Sequence, residues 1–235
     1  MPFENLSRKL VEVLASYGIT EPTDPQKDAI PRILSGHNVL VVAPTGIGKT
    51  ESAMLPIIDT IAKDGCEGFA CIYITPLRAL NRDMLRRLES IGEKMGVTVG
   101  VRHGDTSQSE RSKQSRKPPQ ILITTPETLQ VLFIGKNLRA ALKNVRWVVI
   151  DEIHELAGNE RGAQLAIGLE RLFYLAGDFR RIGLSATVGN AEDVANFLGG
   201  TDRKVDICRH DTFREFNITV ERPPACEDKS LQDKL

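Results

Sequence analysis

Short apolar runs rich in β-branched residues recur along the chain, and longer amphipathic stretches separate them. Each run is continuously apolar rather than alternating, which is typical of strands covered on both faces. Strand and helix in alternation predict right-handed crossovers and an α/β fold with a mainly parallel central sheet. Six runs predict strands, at residues 39–43, 70–75, 97–101, 121–124, 147–150 and 182–185. Amphipathic stretches predict helices at 50–63, 78–95, 127–134 and 162–174.

The charge balance of the chain limits how it can bind a polyanion. Its 235 residues include 31 basic and 31 acidic side chains, so any binding of nucleic acid must be local rather than due to a global basic field. The four cysteines, Cys66, Cys71, Cys208 and Cys226, match neither a zinc site nor a disulfide framework. Neither a signal-peptide layout nor an apolar run of membrane-spanning length is visible, so we expect a cytoplasmic protein without membrane contact.

Two segments depart from the alternating pattern. Residues 107–119 are polar and charged and end in Pro118-Pro119, which predicts a surface loop or a weak helix. Near the C-terminus, a short apolar run at 218–220 predicts a last strand, and a charged tail at 227–235 follows Pro223-Pro224. We therefore expect a folded domain at 1–217 and a linker at 218–235, cut short because nothing apolar follows it.

The first apolar run leads into a glycine-rich turn and then a helix. The turn reads Ala43-Pro44-Thr45-Gly46-Ile47-Gly48-Lys49-Thr50, a Walker A pattern with Ala43 in place of the usual first glycine. Gly46 and Gly48 let the backbone curl so that its N–H groups face phosphate oxygens, and the following helix adds its positive end. Lys49 supplies a charge to the β- and γ-phosphates, and the Thr50 hydroxyl is a ligand for Mg²⁺. The pattern thus predicts binding of ATP and Mg²⁺ by Thr45, Gly46, Gly48, Lys49 and Thr50.

The fifth apolar run ends in two acidic residues, Asp151 and Glu152, with His154 close behind. Two carboxylates at the end of a buried strand cost desolvation energy unless a cation or a proton transfer uses them. We expect Asp151 to hold Mg²⁺, directly or through water, and Glu152 to be the general base that activates the attacking water. A simple charge pair at a helix N-terminus is the alternative for the two acids, and a solvated turn residue is the alternative for His154.

Further segments make the chain resemble the first RecA-like domain of superfamily 2 helicases. They are similar to the Q motif (Pro22-Thr23-Asp24-Pro25-Gln26), motif Ia (Pro76-Leu77-Arg78-Ala79-Leu80), motif Ib (residues 121–127) and motif III (Leu184-Ser185-Ala186-Thr187). The resemblance implies a three-layer RecA-like P-loop fold in which Gln26 reads the adenine edge. It also implies that Ser185 and Thr187 contact the acidic pair and couple hydrolysis to movement, unless they are turn residues with locally satisfied hydroxyls. Phe3 either stacks near the base or anchors the core.

Two of these segments have a physical basis for contact with nucleic acid. Pro76 and Pro126 each follow a strand and are expected to open a helix, a favoured position for proline. Backbone N–H groups at helix starts bind phosphate, and Arg78 adds a charge at the first of them, unless it is an ordinary solvated residue. Together with Gly104 and Thr125, these residues are predicted to contact the backbone of one nucleic-acid strand without reading its sequence.

The resemblance narrows to the Lhr (large helicase-related) group and covers residues 14–200. It is carried by Arg102-His103-Gly104-Asp105-Thr106, by Arg161-Gly162-Ala163-Gln164-Leu165 with Leu169-Glu170-Arg171-Leu172, and by residues 185–190 and 197–200. It implies a DNA-dependent ATPase and helicase that moves 3′ to 5′ on single-stranded DNA. The group's second RecA-like domain and its arginine fingers have no counterpart in these 235 residues. Because an arginine finger is worth roughly 10³–10⁵ in rate, the chain alone, expected to be a monomer, is predicted to hydrolyse ATP very slowly.

Three alternatives stay open at this stage. A DEAD/DEAH-type RNA helicase or RNA–protein remodeller is favoured by the Q-like segment and opposed by the Lhr-like ones. An ATP-gated clamp that holds nucleic acid without unwinding it is opposed by Glu152, which an inactive motor would not need. A small-molecule kinase would need a substrate lid, and nothing between Thr50 and Asp151 resembles one.

Overall fold

The computed structural model describes residues 3–76, 82–186 and 188–210, and within them seven strands form one sheet. The strands are β1 (Asn38–Val42), β2 (Cys71–Ile74), β3 (Val99–Arg102), β4 (Ile121–Thr124), β5 (Trp147–Ile150), β6 (Arg180–Ser185) and β7 (Val205–Arg209). Their order is β3-β4-β2-β5-β6-β1-β7, and every neighbouring pair is parallel. The predicted α/β fold with a parallel sheet is confirmed.

Helices cover the sheet on both faces and make the fold three-layered. They are α1 (Arg8–Ala15), α2 (Asp24–Leu34), α3 (Lys49–Asp64), α4 (Arg82–Met95), α5 (Gln108–Arg116), α6 (Pro126–Leu132), α7 (Lys136–Leu142), α8 (Glu160–Ala176) and α9 (Ala191–Gly199). Helices α1 to α4 contribute to the core on one face, and α6 to α9 contribute to the core on the other. Among the helices of the described residues, none has the length and apolarity that a membrane crossing requires.

The continuously apolar runs follow from this two-sided cover. Along β1, Val39 and Val41 belong to the core beneath α1 to α4, whereas Leu40 and Val42 belong to the opposite core. Tyr73 and Ile74 on β2 divide between the two cores in the same way. Because both faces of these strands are buried, polar side chains can lie only beyond the ends of the strands, which is where the predicted motifs lie.

The edge strand β7 was not predicted. Its sequence, Val205-Asp206-Ile207-Cys208-Arg209, lacks a continuous apolar run because only Cys208 is buried. The predicted last strand at 218–220 and the domain boundary at 217 lie outside the described residues. At the opposite edge, the two alternatives for 107–119 resolve in favour of a helix, α5, whose N-terminus is capped by the Ser107 side chain accepting from the Glu110 N–H at 3.2 Å.

The N-terminal helix α1 is fastened to α3 through one buried carboxylate. Asp59 is fully buried and accepts hydrogen bonds from the backbone N–H of Ser7 at 3.0 Å, from the Ser7 hydroxyl and from Lys63 Nζ at 2.7 Å. The Ser7 hydroxyl oxygen in turn caps α1 by accepting from the Leu10 N–H. Of the two alternatives for Phe3, the structure supports the core anchor, because the ring is 5% exposed within this core.

Helix α8 begins against the turn that follows β5. Asn159 caps the helix by accepting from the Gly162 N–H at 3.0 Å. A Cβ atom at position 162 would lie 2.0 Å from the backbone oxygen of Leu156 and 3.3 Å from Cζ of Phe197. Only glycine permits this approach, so Gly162 brings α8 against the segment that carries the acidic pair.

We predict that Gly162→Ala lowers the free energy of unfolding by about 1–3 kcal/mol, because the added methyl group must displace backbone atoms. Urea or thermal unfolding of the chain measures the change. Gly189→Ala is the matched control, because a Cβ there meets nothing within 4 Å. Equal stability of the two variants would show that α8 tolerates a wider separation from the turn.

Candidate nucleotide and nucleic-acid site

The predicted functional residues lie at the carboxyl edge of the sheet and divide between its two halves. The phosphate loop follows β1, the acidic pair follows β5, and Ser185 ends β6, which lies between β5 and β1. The residues predicted to contact nucleic acid follow the three strands of the other half, β2, β4 and β3. Parallel strands place all their carboxyl ends at one edge, which is the usual location of ligands in such sheets.

A cleft of about 720 Å³ opens at the first half and brings together the residues predicted to hold nucleotide. Its lining comprises Ile19, Glu21, Thr23, Gln26, Thr45, Gly46, Ile47, Gly48, Lys49, Thr50, Glu51, Met84, Arg87, Asp151 and Glu152. A second cavity of about 470 Å³ shares Glu21 and Gln26 with it and is also lined by Phe3. Lys49, Thr50 and Asp151 therefore face one common space.

The phosphate loop has the backbone that its glycines predict. Gly46 and Gly48 have φ angles of 81° and 86°, in the left-handed region that favours glycine, and Gly48 is the N-cap of α3. Lys49 is 7% exposed, and its ammonium donates to the carbonyl oxygens of Ala43 at 2.7 Å and Pro44 at 3.1 Å. Burial lowers the pKa of Lys49, while the negative charges of Glu152 and Asp151 oppose this shift.

Gln26 connects the start of α2 to the phosphate loop. Its side-chain oxygen accepts from the Thr23 N–H at 3.1 Å, and its amide nitrogen donates to the Gly48 carbonyl at 3.3 Å. The Thr23 hydroxyl donates to the carbonyl of Ile47 at 2.9 Å. Gln26 thus lies beside the predicted phosphate-binding loop, and part of its hydrogen-bonding capacity is already used to hold that loop.

The carboxylate of Asp151 is fixed by two hydrogen bonds. The Tyr73 hydroxyl donates to Oδ2 at 2.7 Å, and the Glu152 backbone N–H donates to Oδ1 at 3.0 Å. Burial raises the pKa of Asp151, and the bond from Tyr73 partly offsets that rise. The pKa of Tyr73 is raised well above its ordinary value, first by burial and then by the charge of Asp151, so the phenol stays protonated and acts as the donor.

Glu152, which lines the cleft, forms a short polar chain with His154 and Ser185. His154 Nδ1 lies 3.5 Å from Glu152 Oε2 and 3.2 Å from Ser185 Oγ, which supports the network alternative for His154 over a solvated turn. Glu152 has a φ of 46°, a left-handed conformation that costs a non-glycine residue about 1–3 kcal/mol and recurs at functional sites. Thr187 lies outside the described residues.

The oxygen donors in the cleft suit magnesium rather than a metal held entirely by protein. No group of three or more His, Cys, Asp or Glu side chains that could hold a metal occurs in the described part of the chain. Mg²⁺ is bound in proteins by one or two carboxylates together with substrate phosphates and water. A hydroxyl from Thr50 and a carboxylate from Asp151 are donors of that kind.

The second half of the edge places four of the five predicted nucleic-acid residues side by side. Pro76 follows β2, Thr125 and Pro126 follow β4, and Gly104 lies in the turn after β3. Pro126 is the first residue of α6, as predicted, and Thr125 is its N-cap, accepting from the Thr128 N–H at 3.3 Å. The helix predicted to begin at Pro76 and the side chain of Arg78 fall on a segment outside the described residues.

Among the residues that were not predicted from sequence, three make polar contacts in the cleft lining or directly beside it. Tyr73 contacts Asp151 from the interior of β2, and Arg87 on α4 contacts Glu51 within the cleft lining. Glu51 directly follows the GKT tripeptide and is nearly buried, so its position alone could have marked it. Tyr73 gave no such signal, because a tyrosine in an apolar run is ordinarily a core residue.

The chain belongs to the DEAD/DEAH box helicase family, whose model matches residues 23–194. Curated relatives include the ATP-dependent helicase Lhr-Core of Methanothermobacter thermautotrophicus, 47% identical over 194 residues. That alignment covers 76% of this chain and 22% of the relative. The Lhr helicase/uracil glycosylase of Escherichia coli is 40% identical over 230 residues, covering 88% of this chain and 15% of the relative. The predicted resemblance to the Lhr group is confirmed, and the chain spans a quarter or less of the length of these two relatives.

A solved structure of similar fold is that of the Mycobacterium smegmatis helicase Lhr bound to ssDNA and AMP-PNP. It matches with a TM-score of 0.77 and 41% identity, covering 88% of this chain and 28% of that protein. The RecA-like helicase-domain fold expected from the resemblance is therefore confirmed.

We predict that Gln26→Met, which keeps the side-chain volume but removes both hydrogen bonds, loosens the phosphate loop. Loss of about 1 kcal/mol of hydrogen-bond free energy should raise the equilibrium constant for local opening of the loop roughly fivefold. Hydrogen–deuterium exchange of the amides at residues 46–50 measures this opening. Lys27→Met is the control, because the Lys27 ammonium pairs with Asp24 at 2.9 Å on the helix surface. Unchanged exchange in Gln26→Met would mean that the loop keeps its shape without Gln26.

Proposed function

We propose that this chain is the first motor domain of an ATP-dependent helicase or translocase that binds Mg-ATP and single-stranded nucleic acid. The observation that carries the proposal is the shared cleft, in which Lys49, Thr50, Asp151 and Glu152 all face one space beside a glycine-rich loop. Membership in the DEAD/DEAH box helicase family supports the same reading.

The phosphate-binding role rests on Lys49 and on the loop around it. The Lys49 ammonium can exchange the carbonyls of Ala43 and Pro44 for phosphate oxygens, which are stronger acceptors for a cation. Thr45, Gly46 and Gly48 shape the loop. Gln26 holds the loop against α2 and would also bind the edge of the adenine base. The N-terminus of α3 adds its partial positive charge to the same place.

The metal-binding and proton-accepting roles are divided between the acidic neighbours. Thr50 and Asp151 would hold Mg²⁺, which supplies positive charge to the phosphate oxygens as the terminal bond breaks. Glu152 orients the attacking water and accepts its proton, and His154 and Ser185 keep the Glu152 carboxylate in place through their contacts. Ser185, with Thr187, would link this region to the second half of the edge.

Single-stranded nucleic acid is the partner proposed for that second half. Pro76, Gly104, Thr125 and Pro126 follow three adjacent parallel strands, and Arg78 would add a charge beside Pro76. DNA is favoured over RNA because the similar Mycobacterium smegmatis Lhr was solved with ssDNA. A second RecA-like domain in cis would complete the motor, and direct comparison of ssDNA and ssRNA binding tests the preference.

We predict that Glu152→Gln and Lys49→Ala separate hydrolysis from binding. Lys49→Ala removes the phosphate charge and should abolish binding of a fluorescent ATP analogue to the chain. Glu152→Gln should leave that binding intact while reducing hydrolysis by at least about 10²-fold in the polypeptide that joins this domain to its second domain, because the general base is lost. An unchanged rate in Glu152→Gln would show that another group accepts the proton.

Because the basic and acidic residues of the chain balance, a surface that binds nucleic acid needs basic charge of its own. Helices α5 and α7 carry such charge. Lys113 and Arg116 lie three positions apart on α5, Lys117 follows as the C-cap of the helix, and all three are exposed. The two helices contact each other, and α5 follows the turn that contains Gly104. Because phosphate contacts need cations and not sequence, we include these basic residues in the proposed path of the strand.

Helix α7 adds Lys136 and Arg139, and its C-cap adds Lys143, and these three are also exposed. In the described part of the chain, no ion pair joins any of the six cations to a carboxylate, whereas the exposed Arg8 is paired with Glu12 at 2.9 Å. Cations without acidic partners are free to bind phosphate without first breaking an ion pair.

We predict that replacing Lys136, Arg139 and Lys143 by Ala weakens binding of oligo(dT) and flattens its salt dependence. Each lost phosphate contact lowers the slope of log K against log salt by about 0.7 for a single strand, so three contacts lower it by about 2. Fluorescence anisotropy over a series of salt concentrations measures the slope. The control replaces Arg8, Lys9 and Lys204, which changes the net charge equally on exposed positions away from α5 and α7. The same slope in both triple variants would remove Lys136, Arg139 and Lys143 from the path.

A further inference from the structure

Tyr73 occupies a position that connects the sheet interior to the proposed metal site. The side chain is fully buried within the core beneath α1 to α4. Its hydroxyl donates to Asp151 Oδ2 at 2.7 Å. A buried hydroxyl on β2 therefore contacts the carboxylate that is proposed to hold Mg²⁺, which follows a different strand, β5.

The backbone around Tyr73 places its hydroxyl with little freedom. β2 pairs with β5 so that Tyr73 is in register with Val149, and the Asp151 N–H donates to the Ile74 carbonyl at 2.8 Å. Asp151 is therefore bonded to β2 both through its backbone N–H and through its side-chain carboxylate. An aromatic ring alone would fill the core equally well, and the hydroxyl adds the polar contact with Asp151.

We propose that Tyr73 is a positioning residue that holds the Asp151 carboxylate in the orientation required to bind the magnesium ion of Mg-ATP. With Tyr73 on Oδ2 and the Glu152 N–H on Oδ1, the carboxylate cannot rotate, yet each oxygen keeps acceptor capacity for a cation. Partners of metal ligands commonly tune metal affinity through such orientation. The inference rests on the proposed function and adds a residue to it.

The test is a magnesium titration of nucleotide binding by the Tyr73→Phe variant of the whole chain. Binding of a fluorescent, non-hydrolysable ATP analogue is followed as MgCl₂ is raised, and separately in EDTA. Loss of the hydroxyl is expected to raise the half-saturating magnesium concentration about 10-fold and to leave binding in EDTA unchanged. Tyr174→Phe is the matched control, because Tyr174 on α8 is 88% exposed; it is expected to behave as the parent chain.

The outcomes distinguish this role from a structural one and from failure of the proposed function. A parent-like magnesium curve in folded Tyr73→Phe would overturn the role of Tyr73 and leave the proposed function standing. Equal weakening with and without magnesium would also overturn it, because the hydroxyl would then support the loop in general. If the parent chain bound the analogue with no dependence on magnesium, the proposed function itself would fail. Thermal unfolding of the variant confirms that the isosteric change keeps the fold.

Discussion

Burial of the sheet on both faces is the constraint from which the rest of the structure follows. Side chains along β1 and β2 alternate between two dry cores, so these central strands have no solvated face on which polar chemistry could lie. Charged groups are confined to the ends of the strands, and parallel pairing brings those ends to a single edge. The strand order then divides that edge into a half that carries Lys49 and Asp151 and a half that carries Gly104 and Thr125.

At this edge, charged side chains that would otherwise be hydrated are held by hydrogen bonds to nearby groups of the protein. Lys49 is bound by carbonyl oxygens of its own loop, Asp151 is bound by Tyr73, and Glu152 adopts a left-handed backbone. Burial disfavours the charged forms of both Lys49 and Asp151, and their mutual attraction opposes that effect. Such groups are positioned before a ligand arrives, which reduces the reorganisation that binding and catalysis require.

Some of the segments that resemble the Lhr group are explained by packing rather than by chemistry. Gly162 permits the close approach of α8 to the Leu156 carbonyl. Glu170, from the same helix, pairs with the buried Arg181 at 2.8 Å and with Arg203 at 3.0 Å, joining α8 to β6 and to the segment before β7. These contacts fix the helix behind the acidic turn, so the resemblance extends to the support of the site as well as to its lining.

The sequence alone determined the class of fold, six of the seven strands, the phosphate loop and the acidic pair. These features are visible locally, because a continuous apolar run or a glycine–lysine–threonine sequence occupies only a few neighbouring residues. Only the tertiary structure decided the edge strand β7, whose partly exposed side chains break the continuous apolar pattern, and the role of Gly162, which depends on a carbonyl six residues away. It also decided the contact between Tyr73 and Asp151, 78 positions apart. Such contacts arise when parallel pairing brings distant strands together, and nothing in the local sequence around either residue records its partner.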